Sequence, residues 1–306
     1  MNIKIHPKRN LHVLPNIAGF VGGDAIAGIL ATKIYEKNDL HLLIDVGTNS
    51  EVVFGCRDDI FACSTASGPA FEGAHIRQGM RAATGAISSI KINKGVSFET
   101  IDDAKPRGIC GSGIIDAIAE MLRVGIIGTA GEMIDAHPRV TEHGFVIVCK
   151  DETASGKEDI AITQQDIREV QKAKAAIQTG WRIMMNKLGV VERDIKKIII
   201  AGTFGSFINP ASARTIGMLP EVELSTVTFV GNTAGSGARM TLKSQEERSK
   251  ADEIARKVRY IELAGEEDFQ IEYINALSMP HANLDYYPQV ANSIKAPVSQ
   301  VLLKKD

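Results

Sequence analysis

Leu42-Leu43-Ile44-Asp45-Val46-Gly47-Thr48-Asn49-Ser50-Glu51-Val52-Val53 carries an apolar run into an acid, turns on Gly-Thr-Asn-Ser, and leaves along a second apolar run. Apolar runs bounded by glycine and asparagine predict strand, tight turn and strand. A phosphate-binding hairpin needs the same arrangement. Glycine lets backbone N–H groups approach phosphate oxygens, and Thr48, Asn49 and Ser50 add side-chain donors. Asp45 is placed to hold Mg²⁺ or its water. An ordinary hairpin is the competing reading, and this stretch alone does not decide between them.

Working outward, a helix is predicted from an N-cap at Asp24 to about Tyr35. Strands are expected at 41–45, 51–54 and 60–64, then at 89–93 and 96–101. Residues 67–90, rich in Gly, Ala and Ser, read as mostly irregular. A helix should open at Ser112 and close on Gly125, because Ile114, Ile115, Ile118, Met121 and Leu122 share a face. The longest helix is predicted over 163–188, opened by Thr163 with Asp166 and closed by Gly189. Later strands are read at 197–201, 226–231 and 260–263. Helices are read after Asn209-Pro210, at 234–244 and at 246–259. The proline-bearing tail from Ser278 is expected to be extended.

Three further features bear on chemistry. Ile198-Ile199-Ile200-Ala201-Gly202-Thr203-Phe204-Gly205 runs a strand into a Gly-Thr-x-Gly turn, along which a flat ring such as adenine fits. A plain strand-to-helix turn is the alternative. Gly108-Ile109-Cys110-Gly111-Ser112-Gly113 leads into a helix N-terminus, which attracts anions, although Ser112 as a simple cap explains it equally well. In the long helix the apolar stripe reads Ile167, Val170, Lys174, Ile177, Trp181, Met184, Leu188, so Lys174 stands where an apolar residue belongs. Either its stem snorkels to water, or its ammonium lines a cleft and meets nucleotide; the second is the working assignment.

The bulk numbers exclude several classes. With 306 residues, 44% apolar and 24% charged, the chain has the balance of a soluble globular protein. A net charge of -2 with only short basic runs argues against nucleic-acid or anionic-membrane binding. Cys56, Cys63, Cys110 and Cys149 are widely spaced, with no C-x-x-C pair, and no apolar run reaches membrane length. A cytoplasmic protein with reduced thiols is the economical expectation.

In this order the pieces resemble the second half of the actin/chaperone/sugar-kinase (ASKHA) ATPase core. More closely, the chain resembles the C-terminal region of reductive activators of corrinoid-dependent enzymes. Three stretches carry that likeness: Leu14-Pro15-Asn16-Ile17-Ala18-Gly19-Phe20-Val21-Gly22-Gly23-Asp24, Ser64-Thr65-Ala66-Ser67-Gly68-Pro69-Ala70-Phe71-Glu72-Gly73, and Gly202-Thr203-Phe204-Gly205. The resemblance implies an α/β fold on a ribonuclease-H-like mixed sheet of about five strands with helices on both faces. It implies a single ATPase region over 1–306, with insertions near 66–90 and 126–162. ATP and Mg²⁺ are the implied cofactors, and a corrinoid protein and a second copy of the chain the implied partners. In that role Asp45 positions Mg²⁺ or the attacking water, with Asp24 as a second acid. Gly47, Thr48, Asn49 and Ser50 hold phosphate, as do Gly111, Ser112 and Gly113, while Lys174, Gly202, Thr203 and Gly205 contact the nucleoside.

Complete members of that family carry an N-terminal iron–sulfur domain and a first D-x-G-T-T phosphate loop before this region. This sequence shows neither, so it reads as a fragment or a stand-alone half, with no iron–sulfur cluster and no ATP turnover expected of it alone. Two other readings stay open. One is an ATPase like the acyl-CoA dehydratase activators, with Cys63 or Cys110 meeting a two-fold mate around a cluster. The other is a non-catalytic, dimerising, partner-binding module. The low-charge stretch 66–86, with Phe71 and Met80, is read as a dimer surface; burial within its own chain is the competing reading.

Overall fold

The computed structural model describes residues 4–6, 8, 10–134, 137–202 and 207–295. The opening hairpin is β1 (Leu40–Asp45) and β2 (Ser50–Gly55), followed by β3 (Ile60–Thr65), and the three form an antiparallel meander. Ahead of them lies α1 (Gly23–Thr32), whose N-cap is Gly22. Asp24 is therefore the second helical residue rather than the cap, and its carboxylate accepts the N–H of Ala25 at 2.8 Å.

Residues 66–162 build a layer of their own. It holds β4 (Ala86–Ile92), β5 (Val96–Thr100), β6 (Gly108–Ile109), α2 (Gly111–Val124), β7 (Val140–Thr141), β8 (Gly144–Val148) and β9 (Ile160–Ile162). These strands form two three-stranded sheets, β5-β4-β6 and β7-β8-β9. The long helix α3 (Gln164–Leu188) then returns to the main sheet. Its capping box pairs Thr163 with Asp166, and Gly189 ends it in a left-handed conformation, as the sequence predicts.

The rest comprises β10 (Ile195–Ala201), α4 (Pro210–Thr215), β11 (Val227–Gly231), α5 (Thr233–Lys243), α6 (Gln245–Lys257), β12 (Arg259–Tyr260), α7 (Phe269–Leu277) and α8 (Pro288–Ser293). The main sheet runs β11-β10-β1-β2-β3-β12, with β10 parallel to β1 and β11 parallel to β10. It is the ribonuclease-H-like arrangement expected, with a sixth strand, β12, added beside β3.

Alternation along the strands loads both faces. Leu42, Ile44, Val52, Phe54 and Cys63 pack beneath α3 and α2, while Leu43, Val53, Ala62 and Ile199 pack beneath α1 and α6. Both faces of the central strands are dry, which explains their unbroken apolar sequence. On the second face α1 and α5 lie backbone to backbone. A Cβ added at Gly237 would stand 2.3 Å from the carbonyl oxygen of Ala27, so only glycine fits.

Several expectations need correction. Phe71 is 2% exposed and belongs to the main apolar cluster of its own chain, so it does not offer a dimer surface. The tail is not simply extended. Pro288 takes the first position of α8, and the Glu221 carboxylate accepts the N–H groups of Gln289 (3.0 Å) and Val290 (2.9 Å). A cap supplied from a distant residue stabilises a helix too short to hold alone. α7 was not foreseen, and the expected strand at 260–263 is only the two residues of β12 followed by a 3-10 turn at Leu263–Gly265.

Candidate functional site

The parallel strands β1, β10 and β11 end side by side, bringing Asp45, Gly202 and Asn232-Thr233 to one edge of the sheet. Open α/β sheets bind ligands at such carboxyl ends. Val46 donates its N–H to Ala201 (3.2 Å), and Gly202 donates to Gly231 (3.0 Å). Gly202 has φ 94°, and a Cβ there would lie 2.6 Å from the Val46 carbonyl oxygen and 3.0 Å from Asp45 Oδ1. Glycine is required twice over, by conformation and by space. It lets the strand end abut the acid.

Asp45 is half-buried. Burial lifts its carboxyl above the usual range; a hydroxyl hydrogen bond from Thr233 (Oγ1 to Oδ2, 3.4 Å) opposes this, and the charge of Asp24 adds to it. Glu51 pairs with Asp45 across β1 and β2. Burial first, then the charges of Asp24 and Asp45, push Glu51 up to about 7, although Ser64 donates to it at 3.3 Å. Asp24 stands exposed at the start of α1. The charges of Asp24 and Asp45 both reach Glu51, so the ionised acids repel one another. Among the described residues no three side chains of metal-ligand type converge on one point. Mg²⁺ is ordinarily held by one or two carboxylates together with water and phosphate.

The turn after Asp45 is held from outside. Thr48 donates its hydroxyl to Glu72 (2.6 Å), and its carbonyl accepts the N–H of Gly68 (2.8 Å). Thr48 and Asn49 are exposed, and Gly47 is half-buried. Ser50 departs from its assignment. It is fully buried, its hydroxyl donates to Gly47 O and accepts from Ser67, and its carbonyl accepts from Thr65. Its role is to fix the turn rather than to face a phosphate.

A cleft of about 810 Å³ lies between this hairpin and the 66–162 layer, lined by Val46 of the hairpin turn and by Glu72, Gly111 and Ser112 of the layer. Helix geometry leaves the first-turn N–H groups of α2 without intrahelical acceptors. The Ser112 hydroxyl is taken by Ser88 O at 2.8 Å, so what Ser112 offers a ligand is its backbone. Gly113 points elsewhere: a Cβ there would lie 2.3 Å from Ile87 O, so this glycine serves the contact of α2 with β4.

Lys174 is not in the cleft. It is 0% exposed, and its ammonium donates to Gln178 Oε1 (3.1 Å), to Pro280 O (2.8 Å) and to Ser278 O. Burial holds its pKa well below the ordinary lysine value, with Glu272 pulling the other way. The stripe anomaly marks a tie between α3 and the tail. Thr203 and Gly205 lie outside the described residues. Cys63 and Cys110 are both buried, and burial drives the Cys63 thiol upward.

Sequence reasoning missed Glu51, Glu72 and Thr233. Glu51 was visible as the residue that must face Asp45 once the hairpin register is drawn, and Asn232-Thr233 as a strand-to-helix junction like that at 209–210. Nothing local marks Glu72, which meets Thr48 from 24 residues away.

Comparison with known proteins agrees with this architecture. A family model described as the C-terminal domain of RACo, the ASKHA domain, matches residues 39–291, and one described as the RACo middle region matches residues 1–37. The corrinoid activation enzyme RamQ of Eubacterium limosum is 41% identical over 286 residues, covering 89% of this chain and 48% of that protein. The [Co(II) methylated amine-specific corrinoid protein] reductase of Methanosarcina barkeri is 27% identical over 297 residues, covering 87% of this chain and 51% of that protein. A solved reductive activator for corrinoid, iron–sulfur protein superposes with a TM-score of 0.85 at 38% identity, over 91% of this chain and 46% of that one. The chain thus spans about half the length of these relatives. Among the described residues no helix is long and apolar enough to cross a membrane. With matching models over residues 1–37 and 39–291, the chain belongs to the RACo family and contains its C-terminal ASKHA domain.

Proposed function

We propose that this chain is the nucleotide-binding part of an activator that returns inactive corrinoid proteins to their reduced state, with ATP and Mg²⁺ as its cofactors. The observation that carries the reading is the cleft. It is bordered by Val46, in the turn that Gly202 abuts, and by Gly111 and Ser112 in the first turn of α2. Polyphosphate binding needs backbone donors on one side and a carboxylate-held cation on the other.

In this reading Asp45 positions Mg²⁺ or the attacking water, and Asp24 is a second acid. Gly47, Thr48, Asn49, Gly111 and Ser112 receive phosphate oxygens, and Gly202, Thr203 and Gly205 approach the nucleoside. The relatives' names support a corrinoid protein as partner. A cytoplasmic location and a homodimer belong to the same proposal, with an interface away from Phe71. Calorimetric titration with Mg-ATP tests the reading. Saturable binding by the wild type, weakened in Asp45→Ala, is expected; absence of any binding overturns it.

A further inference from the structure

The same cleft joins two kinds of wall. Phe71, Met80 and Ile101 make an apolar lining, and Phe207, 68% exposed, borders it. A single exposed apolar side chain is ordinary. One that borders an apolar-lined cleft whose other boundary is a helix N-terminus is a different matter. The charged lining has its own asymmetry. Among the described residues, Arg81 and Glu72 are the only charged side chains bordering the cleft, and Glu72 already holds Thr48. Lys174 is committed to the tail, and among the described residues that line the cleft Arg81 is the cation that can answer a bound anion.

We propose that Phe207 stacks on the base of the bound nucleotide and that Arg81 pairs with its phosphates. The cleft would then select a ligand that carries both a flat ring and several negative charges. This rests on the nucleotide reading above. Aromatic faces attract bases whatever their hydrogen-bond pattern, and a guanidinium offers forked donors to phosphate oxygens. Neither residue was legible as functional. Phe207 follows the Gly-Thr-x-Gly turn by two positions, and Arg81 sits in a stretch read as irregular.

The experiment compares two probes, Mg-ATP and Mg-tripolyphosphate, by calorimetry on the whole chain. Phe207→Ala should weaken ATP binding about ten-fold and leave tripolyphosphate binding as in the wild type. Arg81→Ala should weaken both about ten-fold, and Arg81→Lys should recover part of each loss. Both side chains are exposed, so unchanged thermal melting is the folding control. If the wild type binds ATP and Phe207→Ala binds it equally well, the stacking assignment is overturned. If Arg81→Ala keeps wild-type affinity for both probes, the phosphate assignment is overturned. A wild type that binds neither probe overturns the nucleotide reading and this inference with it.

Discussion

Asp45 and Glu51 are register partners across β1 and β2, two carboxylates facing one edge of the site with Glu51 pushed up to about 7. Such a pair resists simultaneous ionisation until a cation or a proton intervenes.

The pH dependence of stability follows from Glu51. Its acid is raised from the ordinary 4.5 to about 7 in the folded chain. Below 4.5 both states hold the proton and the stabilising contribution is complete. Between 4.5 and 7 the unfolded chain releases its proton first, so stability falls as pH rises through that window. Thermal melts without nucleotide, run from pH 4.5 to 8, should show this decline in the wild type and a flatter profile in Glu51→Gln. The residual slope belongs to Asp45, whose acid is raised as well.

Removing the Asp45 charge should weaken nucleotide binding. One charged ligand contact is worth about 1.5–3 kcal/mol, roughly ten- to hundred-fold in Kd. Thr233→Val should act in the same direction but more weakly, since it removes one long hydrogen bond to Asp45. Titration calorimetry with Mg-ATP ranks the two, and equal affinities in all three proteins would reject the site.

Lys174→Met should destabilise the fold without touching the cleft. It orphans the buried acceptors Gln178 Oε1, Ser278 O and Pro280 O, and each unsatisfied buried group costs about 1–3 kcal/mol. The chain's single tryptophan, Trp181, is buried and donates to Met218 O at 3.1 Å, so its fluorescence reports the melt. A lowered melting temperature with unchanged ATP affinity at low temperature is expected. Lost affinity in a fully folded variant would return Lys174 to the site.

Phe71→Asp should abolish folding rather than dissociate a dimer. The substitution buries an unpaired charge in the main core, which exceeds what a marginally stable domain tolerates. Loss of the circular dichroism signal is the expected result. The oligomeric state is a separate measurement, made by light scattering on the wild type across dilution.

The hairpin at 42–53 was legible because an apolar run, an acid and a Gly-Thr-Asn turn each constrain the backbone locally. The caps of α3 were legible for the same reason, since Thr163, Asp166 and Gly189 act within a turn of the helix. Lys174 was misread because periodicity tells which face a residue occupies but not what comes to meet it. Two of its three acceptors, Ser278 O and Pro280 O, sit more than 100 positions later. α8 escaped notice because its cap, Glu221, is nearly 70 residues away in sequence. Within the site the acids on helix and strand ends could be read, while Ser50 shows the limit: a turn hydroxyl looks the same whether it serves a ligand or its own loop.

The close approach of Gly237 to Ala27 makes α1 and α5 a single strut rather than two helices. One member of that strut carries Asp24 in its first turn, and the other begins with Thr233 beside Asp45. With no slack between the two backbones, one cannot slide without carrying the other. Asp24 and the Thr233–Asp45 contact are therefore kept at one fixed spacing.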